Sequence, residues 1–163
     1  MAIREIRLSG DEILRKKSRE VTEVDDRIRS ILNDMDETMH EANGVGLSAV
    51  QIGILKRIVV IDTKYDGSPS IKLVNPKIIK TKGSQEVEEG CLSFPNQFAK
   101  VVRPEEVIVE ALDENGKPIK IKAKDLLAEA LCHEIDHLDG KLFIDIMEPG
   151  TLQYIDNDGN EKN

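Results

Sequence analysis

Apolar side chains recur at helical spacing in the first quarter of the chain, from Val24 to Ala42. The positions that share this spacing are Ile28, Ile31, Leu32, Met35 and Met39. They fall on one face of a helix, and Asn43-Gly44 supplies a stop signal directly after it. The pattern therefore predicts a long helix over 24–42 that packs on the core through this face.

The middle of the chain contains short runs of β-branched residues. These runs predict strands over 57–62, 71–74, 77–81, 86–89 and 107–112, with turns at Asp66-Gly67 and Asn115-Gly116. The second turn joins 107–112 to a strand over 118–121, and a helix over 125–138 follows, ending at Gly140. This grouping predicts an α+β fold, with mostly antiparallel sheets around a central C-terminal helix and the long helix near the N-terminus.

Composition and charge limit the classes of function. The chain has 163 residues, of which 39% are hydrophobic and 33% charged, and its net charge is −8. This size suits a single domain, and an acidic chain is poorly suited to binding phosphate backbones, so no direct contact with nucleic acid is expected. Apolar runs such as 58–61 are too short to span a bilayer, and the N-terminus lacks the apolar block of a secretory signal. We therefore expect a cytoplasmic protein.

The most specific motif is His133-Glu134-Ile135-Asp136-His137, inside the second predicted helix. Histidines four residues apart lie one above the other on one helical face, so both rings can bind one metal ion. Glu134 lies near the edge of that face, where a carboxylate can take a proton from an attacking water and later return it. The alternative is a solvated helix face, but the chain has only three histidines and two of them are in this motif.

A third ligand is expected upstream of this motif. Only 23 residues follow Gly140, which leaves little room for the further ligand-bearing helix of metallopeptidases that share the histidine pair. Cys91 follows a predicted strand, and Gly90 before it lets the backbone bend and point a thiolate inward. Cys91, His133 and His137 would then give three ligands and one open position, as in catalytic sites. A buried apolar cysteine is the alternative, whereas a reducing cytosol disfavours a disulfide.

Three segments in register are similar to the peptide deformylase family. They are GVGLSAVQ at 44–51, EGCLS at 89–93 and HEIDH at 133–137, and the likeness extends from Ile3 to about Met147. The resemblance implies a catalytic domain over 1–147, followed by a short acidic tail over 148–163 that is expected to be disordered. It also implies a metal-dependent hydrolase that removes the formyl group from the N-terminal formylmethionine of newly made proteins and releases formate.

The resemblance implies a role for each motif. Cys91, His133 and His137 would hold one ferrous ion, for which Zn²⁺, Ni²⁺ or Co²⁺ can substitute, although ligand chemistry alone would favour zinc. The Gln51 side-chain amide and the Leu92 backbone N–H would donate hydrogen bonds to the oxyanion, each worth about 3 kcal/mol. The motif glutamate would then protonate the departing amine.

An extended substrate peptide is expected to run beside two segments of the chain. Gly44 and Gly46 have no side chain to block its approach, and the strand before Cys91 offers a backbone edge for pairing. By family likeness, an apolar pocket receives the methionine side chain. The residues expected to contact substrate are Gly44, Val45, Gly46, Val87, Glu89, Gly90, Leu126 and Ala130. Plain core packing is the alternative for the apolar ones, and Glu89 is also a candidate ion-pair partner of Arg103.

Two departures from the family pattern bear on chemistry and partners. Cys132 stands where the family usually has glutamine, but it points about 100° away from His133 and should be a buried thiol outside the metal site. Some members carry a long basic C-terminal helix that docks on the ribosome, whereas 148–163 is short and acidic here. We therefore expect a monomer that acts on N-formylmethionyl nascent chains, with transient ribosome proximity but no docking by that route.

Three other functions remain open at this point. A structural metal site would need a fourth ligand, for instance Cys132 or His40. A catalytically silent peptide-binding homologue would be expected to lack a ligand or Glu134, and neither is missing. A metallopeptidase of the two-histidine class would not need Cys91, so a Cys91→Ser variant with full metal content and activity would support it.

Overall fold

The computed structural model describes residues 2–64 and 67–155, and the backbone at 161–162. Its helices are α1 (Asp26–Glu41), α2 (Asp125–Leu138) and α3 (Phe143–Ile146). Its strands are β1 (Gly46–Ser48), β2 (Ile58–Ile61), β3 (Ile71–Lys82), β4 (Gln85–Cys91), β5 (Phe94–Arg103), β6 (Glu106–Leu112), β7 (Pro118–Lys124), β8 (Gln153–Ile155) and β9 (Glu161–Lys162). Two short 3-10 helices, Glu12–Arg15 and Ala49–Ile52, complete the described elements.

The described strands form two antiparallel sheets, one on each side of α2. The larger sheet has the order β1-β2-β3-β6-β7 and the smaller sheet the order β4-β5-β8-β9. In β2, Val59 and Ile61 pack with the buried face of α2, whereas Ile58 and Val60 pack with α1. Both faces of the larger sheet are therefore covered by helices, which explains why β2 is apolar throughout. The predicted α+β fold around a central C-terminal helix is confirmed.

The helices follow the hydrophobic pattern closely. The predicted helix over 24–42 is present as α1, and it begins at Asp26 because the Asp25 side chain accepts a hydrogen bond from Ile28 N at 3.0 Å. The predicted bounds of α2 are those observed, with Gly140 in a left-handed conformation (φ 73°) two residues after its end.

The strands differ more from the prediction. The segments 71–74 and 77–81 belong to one strand, β3, whose irregularities near Asn75-Pro76 break the pattern without ending the strand. The 107–112 hairpin is present as β6 and β7, but β1, β5, β8 and β9 were not predicted. β5 contains Pro95 and Asn96, which obscure the alternation. The predicted turn at Asp66-Gly67 lies partly outside the described residues.

Part of the predicted tail over 148–163 belongs to the smaller sheet. Gln153 and Tyr154 in β8 pair with Phe98 and Gln97 of β5, so this stretch is a strand rather than a disordered segment. The division into a domain over 1–147 and a tail stays a prediction. Among the described helices, none combines the length and the apolar character needed to cross a membrane.

Candidate metal centre

Three potential ligands from two elements converge between α2 and the smaller sheet. Cys91 ends β4, and His133 and His137 lie one turn apart on α2. Their ligand atoms all lie within 4.8 Å of one another, and within the described ranges no other such group is found. The structure therefore brings together the three residues that the sequence predicts as metal ligands.

The separations between these ligand atoms fit a single ion. Cys91 Sγ lies 3.3 Å from His137 Nε2, which lies 3.2 Å from His133 Nε2. Around a tetrahedral ion with bonds of about 2.3 Å to sulfur and about 2.0 Å to nitrogen, the same separations would be about 3.5 Å and 3.3 Å. The donor set suits zinc and iron, and three protein ligands leave one position open, as a catalytic site requires.

A buried ion-pair network braces one of the two histidines. Glu89, which is 3% exposed, accepts a hydrogen bond from His133 Nδ1 and a bidentate pair from Arg103, at 2.6 Å to Oε1 and 3.0 Å to Oε2. Arg103 also donates to Asp136 Oδ2 at 2.7 Å, further along α2. The proton on His133 Nδ1 leaves Nε2 with its lone pair directed at the cluster, which is how metal-binding histidines are commonly oriented. The Glu89–Arg103 ion pair proposed from the sequence is therefore present.

The electrostatics of the cluster favour a positive charge at its centre. Burial lowers the pKa of His137 well below its ordinary value, so this ring is neutral. Burial opposes a proton on His133 as well, but Glu134, Cys91 and Glu89 around it outweigh burial and raise its pKa well above the ordinary value. The surroundings of His133 Nε2 therefore attract a cation, which a metal ion would supply in place of a proton.

Glu134 lies beside the cluster and is poised to exchange a proton near neutral pH. Burial is the main cause that raises its pKa to about 7. Its Oε2 lies 4.0 Å from His133 Nε2, while Oε1 is buried with no hydrogen-bond partner in the part of the chain that the structure describes. A buried carboxylate oxygen without a partner is costly, so a substrate or water hydrogen is its natural complement.

Hydrogen bonds on both ends fix the Gln51 side-chain amide. Its Oε1 accepts from Ser48 N at 3.0 Å and from Ser48 Oγ at 3.1 Å, and its Nε2 donates to Ser93 Oγ at 3.0 Å. Because a backbone N–H can only donate, Oε1 must face Ser48, and Nε2 must face the cluster. There it lies 3.5 Å from Cys91 Sγ. The amide is thus oriented to donate a hydrogen bond toward the site.

A groove of about 520 Å³ opens onto the cluster between the Gly44-Val45-Gly46 segment and β4. Its walls include eleven of the predicted site residues: Gly44, Val45, Gly46, Glu89, Gly90, Cys91, Leu92, Leu126, Ala130, His133 and Glu134. Gln51 and His137 do not line the groove. Both side chains are buried behind it, and each contacts Cys91 Sγ. A larger groove of about 800 Å³ behind α2 contains none of the predicted residues.

One predicted pocket residue lies elsewhere. Val87 does not line the groove, because its side chain packs with Phe94, Val101 and Phe143 in the core beneath the smaller sheet. Core packing was the alternative considered for Val87, and the structure shows this packing. Of the four apolar residues expected to form a methionine pocket, Val45, Leu126 and Ala130 do line the groove.

The glycines of the groove leave space for neighbouring side chains of the same protein. A Cβ on Gly46 would lie 2.6 Å from Glu134 Oε2, and one on Gly44 would lie 3.1 Å from Leu92 Cγ. A Cβ on Gly90 would lie 2.8 Å from the Phe98 ring. Gly44 and Gly46 were expected to let the substrate approach, whereas in the structure they allow the Leu92 and Glu134 side chains to lie close to the backbone.

No fourth protein ligand closes the cluster within the described residues. Cys132 is 4% exposed and packs in the core, where burial raises the pKa of its thiol to about 11. His40 lies on α1, where its Nε2 is 2.7 Å from Asp62 Oδ2. Both cysteines are free thiols. The arrangement is that of an open site and not of a closed structural one.

Some contacts of the site were not predicted. Glu129 lines the groove one turn before His133, and burial together with the adjacent Glu89 carboxylate raises its pKa to about 7. Its spacing of four residues from His133 places it on the same helical face, so the sequence did contain this signal. Ser93, which holds Gln51, and Asp136, which holds Arg103, act across long sequence distances that no local pattern reveals.

An open cluster of one cysteine sulfur and two imidazoles, with a buried glutamate and an amide donor beside a groove, defines a hydrolase with a single metal site. Comparison with known proteins extends this. The family model described as polypeptide deformylase matches residues 3–153. Peptide deformylase 2 of Clostridium acetobutylicum is 58% identical over 90% of this chain and 97% of its own length. The chain belongs to the peptide deformylase family.

Other relatives and solved structures agree with this assignment. Peptide deformylase of Acetivibrio thermocellus is 52% identical over 99% of this chain and 91% of its own. The crystal structure of a peptide deformylase from Legionella pneumophila superimposes with a TM-score of 0.87 at 49% identity, covering 91% of this chain and 88% of that one. A peptide deformylase from Synechococcus elongatus in complex with actinonin has a TM-score of 0.86 at 42% identity, covering 89% and 80%.

Proposed function

We propose that this protein removes the formyl group from N-formylmethionyl peptides of newly made proteins, releasing formate. The observation that carries the proposal is the open Cys91–His133–His137 cluster beside the buried, unpartnered carboxylate oxygen of Glu134. The 520 Å³ groove that ends at the cluster is large enough for a few residues of an extended peptide.

We infer that Cys91, His133 and His137 hold one ferrous ion, and that Zn²⁺, Ni²⁺ or Co²⁺ can take its place. Sulfur and imidazole ligands suit these ions, and the attraction for positive charge at His133 supports binding of a cation. When bound, such an ion supplies Lewis-acid chemistry: it polarises a carbonyl oxygen and lowers the pKa of water.

Glu134 is the group that moves the proton. Its carboxylate is the acceptor for the proton of the attacking water, and the protonated carboxyl then donates to the leaving amine nitrogen. The pKa of about 7 that burial gives it suits both directions of transfer near neutral pH. Gly46 allows this carboxylate to lie within van der Waals range of the backbone, which limits its freedom.

Two donors would stabilise the negative charge that forms on the formyl oxygen. Gln51 Nε2 is held in place by Ser48 and Ser93 before any substrate arrives, so no reorganisation is needed. The Leu92 backbone N–H is the second donor, directly after Cys91 on the wall of the groove. Each donor is worth about 3 kcal/mol of transition-state stabilisation.

The substrate would lie in the groove as an additional strand. One edge of β4 pairs with β5, and within the described strands the other edge is free to pair with a peptide. We place the methionine side chain between Val45, Leu126 and Ala130, and the peptide backbone along Gly44, Gly46 and the Glu89-Gly90 segment. Burial of a methionine side chain in such a pocket contributes about 1.5–3 kcal/mol to binding.

We further propose that the protein acts in the cytoplasm as a monomer on nascent chains, near the ribosome only transiently and without binding nucleic acid or membrane. Two free thiols, one of them a metal ligand, suit a reducing compartment. The net charge of −8 disfavours a phosphate backbone as partner.

The direct test is formate release from a formyl-methionyl peptide by protein purified without oxygen and loaded with ferrous iron. The acetylated peptide is the control, because it differs only at the group to be removed. Formate from the first and no acetate from the second are expected. No formate from fully metallated protein would overturn the proposal in favour of a silent peptide-binding homologue.

Two variants separate the proposed roles. Glu134→Ala should keep its metal and lose most turnover, and near-normal turnover would contradict a proton-transfer role. Cys91→Ser should lose metal affinity and activity together. Full metal content and activity in Cys91→Ser would instead favour a metallopeptidase that does not need this ligand.

A further inference from the structure

Within the described residues, the walls of the substrate groove contain several carboxylates and no lysine or arginine. Among its lining residues are Glu88, Glu89, Glu129 and Glu134, whereas no lysine or arginine of the described chain lines it. Arg103 neutralises Glu89 from behind. Glu88 is exposed on the groove and has no ion-pair partner in the described parts of the chain, unlike Glu86 two residues earlier, which lies 3.9 Å from Lys100. Lys100 lies opposite Glu88 on β5 but is shared with Glu86, so this face keeps a net negative charge beside the bound peptide.

Strand alternation determines which substrate residue meets Glu88. Glu89 contacts His133 on α2, so Glu88 and Gly90, one residue to either side, point to the opposite face of β4. A peptide that starts at the cluster and runs along β4 toward Gln85 is antiparallel to β4. Its methionine side chain points to α2, so the side chain of the second residue points to the face of Glu88 and Gly90.

This face has the shape and charge that a long cationic side chain requires. The Phe98 ring fills the space beside Gly90, where a Cβ would lie 2.8 Å from it, and forms an apolar floor. Glu88 lies diagonally beyond that floor, at a distance from the second residue that a long side chain can span. The methylene stem of lysine or arginine can pack on the ring while its charged end reaches the carboxylate.

We propose that this protein prefers formylated peptides with lysine or arginine immediately after the methionine, and that Glu88 is the residue that determines this preference. The inference rests on the proposed deformylase function. The contribution of Glu88 to the preference is modest, because this side chain is exposed. An ion pair of this kind changes kcat/KM by about two- to fivefold.

The test compares kcat/KM for formyl-methionyl tripeptides whose second residue is lysine, norleucine, alanine or glutamate. Norleucine has the stem of lysine without the charge, so it separates the Phe98 floor from the Glu88 carboxylate. The expected order is lysine, norleucine, alanine, glutamate, with lysine about two- to fivefold above norleucine in low salt. The difference should shrink in 1 M salt, where the screening length falls to about 3 Å.

Matched variants assign the effect to one residue. Glu88→Gln should bring lysine and norleucine to the same value, and Glu88→Lys should place glutamate above lysine. Glu110→Gln removes one carboxylate from β6 of the larger sheet, outside the groove, and Glu129→Gln removes one carboxylate from the α2 side, which the second residue does not face. Both should keep the lysine-to-norleucine ratio.

The outcomes distinguish this inference from the proposed function. If no tripeptide releases formate, the deformylase proposal fails and the preference fails with it. If all release formate and lysine equals norleucine in the unaltered enzyme, the enzyme is a deformylase and only the role of Glu88 is wrong. An unchanged lysine preference in Glu88→Gln would likewise overturn the assignment to this residue.

Discussion

Replacing Arg103 by methionine tests the buried network that holds His133. The substitution keeps an unbranched side chain of similar reach but removes two hydrogen bonds to Glu89 and one to Asp136. Arg103 and Glu89 are 4% and 3% exposed, so the variant leaves a carboxylate in the interior with His133 as its remaining partner. Removing one partner of a buried pair costs about 3–5 kcal/mol, and the contact with His133 favours the lower end.

The expected loss is large enough to measure against a matched surface pair. For a protein of this size, about 3–5 kcal/mol corresponds to a fall in Tm of roughly 6–20 °C. Arg15 forms the control: its ion pair with Asp145 is geometrically similar at 2.5 Å, but the two side chains are 49% and 37% exposed. Arg15→Met should therefore cost at most about 1 kcal/mol, or about 4 °C.

The assay is urea unfolding of chelator-treated protein, followed by far-UV circular dichroism at neutral pH. Working without metal separates the stability of the network from any change in metal affinity. The double variant Arg103→Met with Glu89→Met should lose less free energy of unfolding than the two single variants lose in sum. It leaves no unpaired carboxylate in the interior, because Asp136, the other partner of Arg103, is 29% exposed. If Arg103→Met unfolds at the same urea concentration as Arg15→Met, the network does not stabilise the fold as argued.

Three further predictions follow from single contacts. Gly46→Ala places a Cβ 2.6 Å from Glu134 Oε2, so kcat should fall at least tenfold while metal content, measured by atomic absorption, stays constant; unchanged kcat would contradict the crowding. The hydrogen bond that His40 donates to the Asp62 carboxylate raises the pKa of His40, so this contact stabilises the fold below pH 6.5 and the stabilisation is lost as pH rises through the raised pKa. NMR titration should show that pKa falling in Asp62→Asn, and no change would refute the pairing. Because burial raises the pKa of the Cys132 thiol to about 11, iodoacetamide should leave it unmodified in folded protein at pH 8, whereas rapid labelling would show that the thiol is exposed.

The metal ligands could be predicted because their arrangement is encoded locally. Helical spacing places His133 and His137 on one face of α2, whose bounds were predicted from the preceding hairpin and from Gly140. No local pattern connects Cys91 with histidines more than forty residues later, so its assignment as a ligand needed a further argument. Its position at the end of β4, preceded by a glycine, was the available signal.

The residues that hold the ligands in place were harder to predict. Arg103 lies on β5, a strand hidden by Pro95 and Asn96, so its contact with Asp136 on α2 could not be anticipated. Val87 was expected in the methionine pocket but packs in the core. An apolar residue near a metal ligand suits a pocket and a core equally well, so the sequence could not decide between them. Both cases depend on how the smaller sheet docks on α2, which is a property of the whole fold.

The division of the ligands between β4 and α2 determines when during synthesis the site becomes complete. Cys91 is made 42 residues before His133 and 46 before His137. A growing chain that has not yet reached α2 therefore offers one ligand of three, together with the already synthesised Gln51 and Leu92. The hydrogen bonds from Arg7 N to Gln51 O and from Ser9 N to Ser93 O connect a preceding segment of the chain to this part of the site. The two histidines and the proton-transferring glutamate lie on one helix, so a chain that ends before α2 lacks both imidazole ligands and the group that moves the proton.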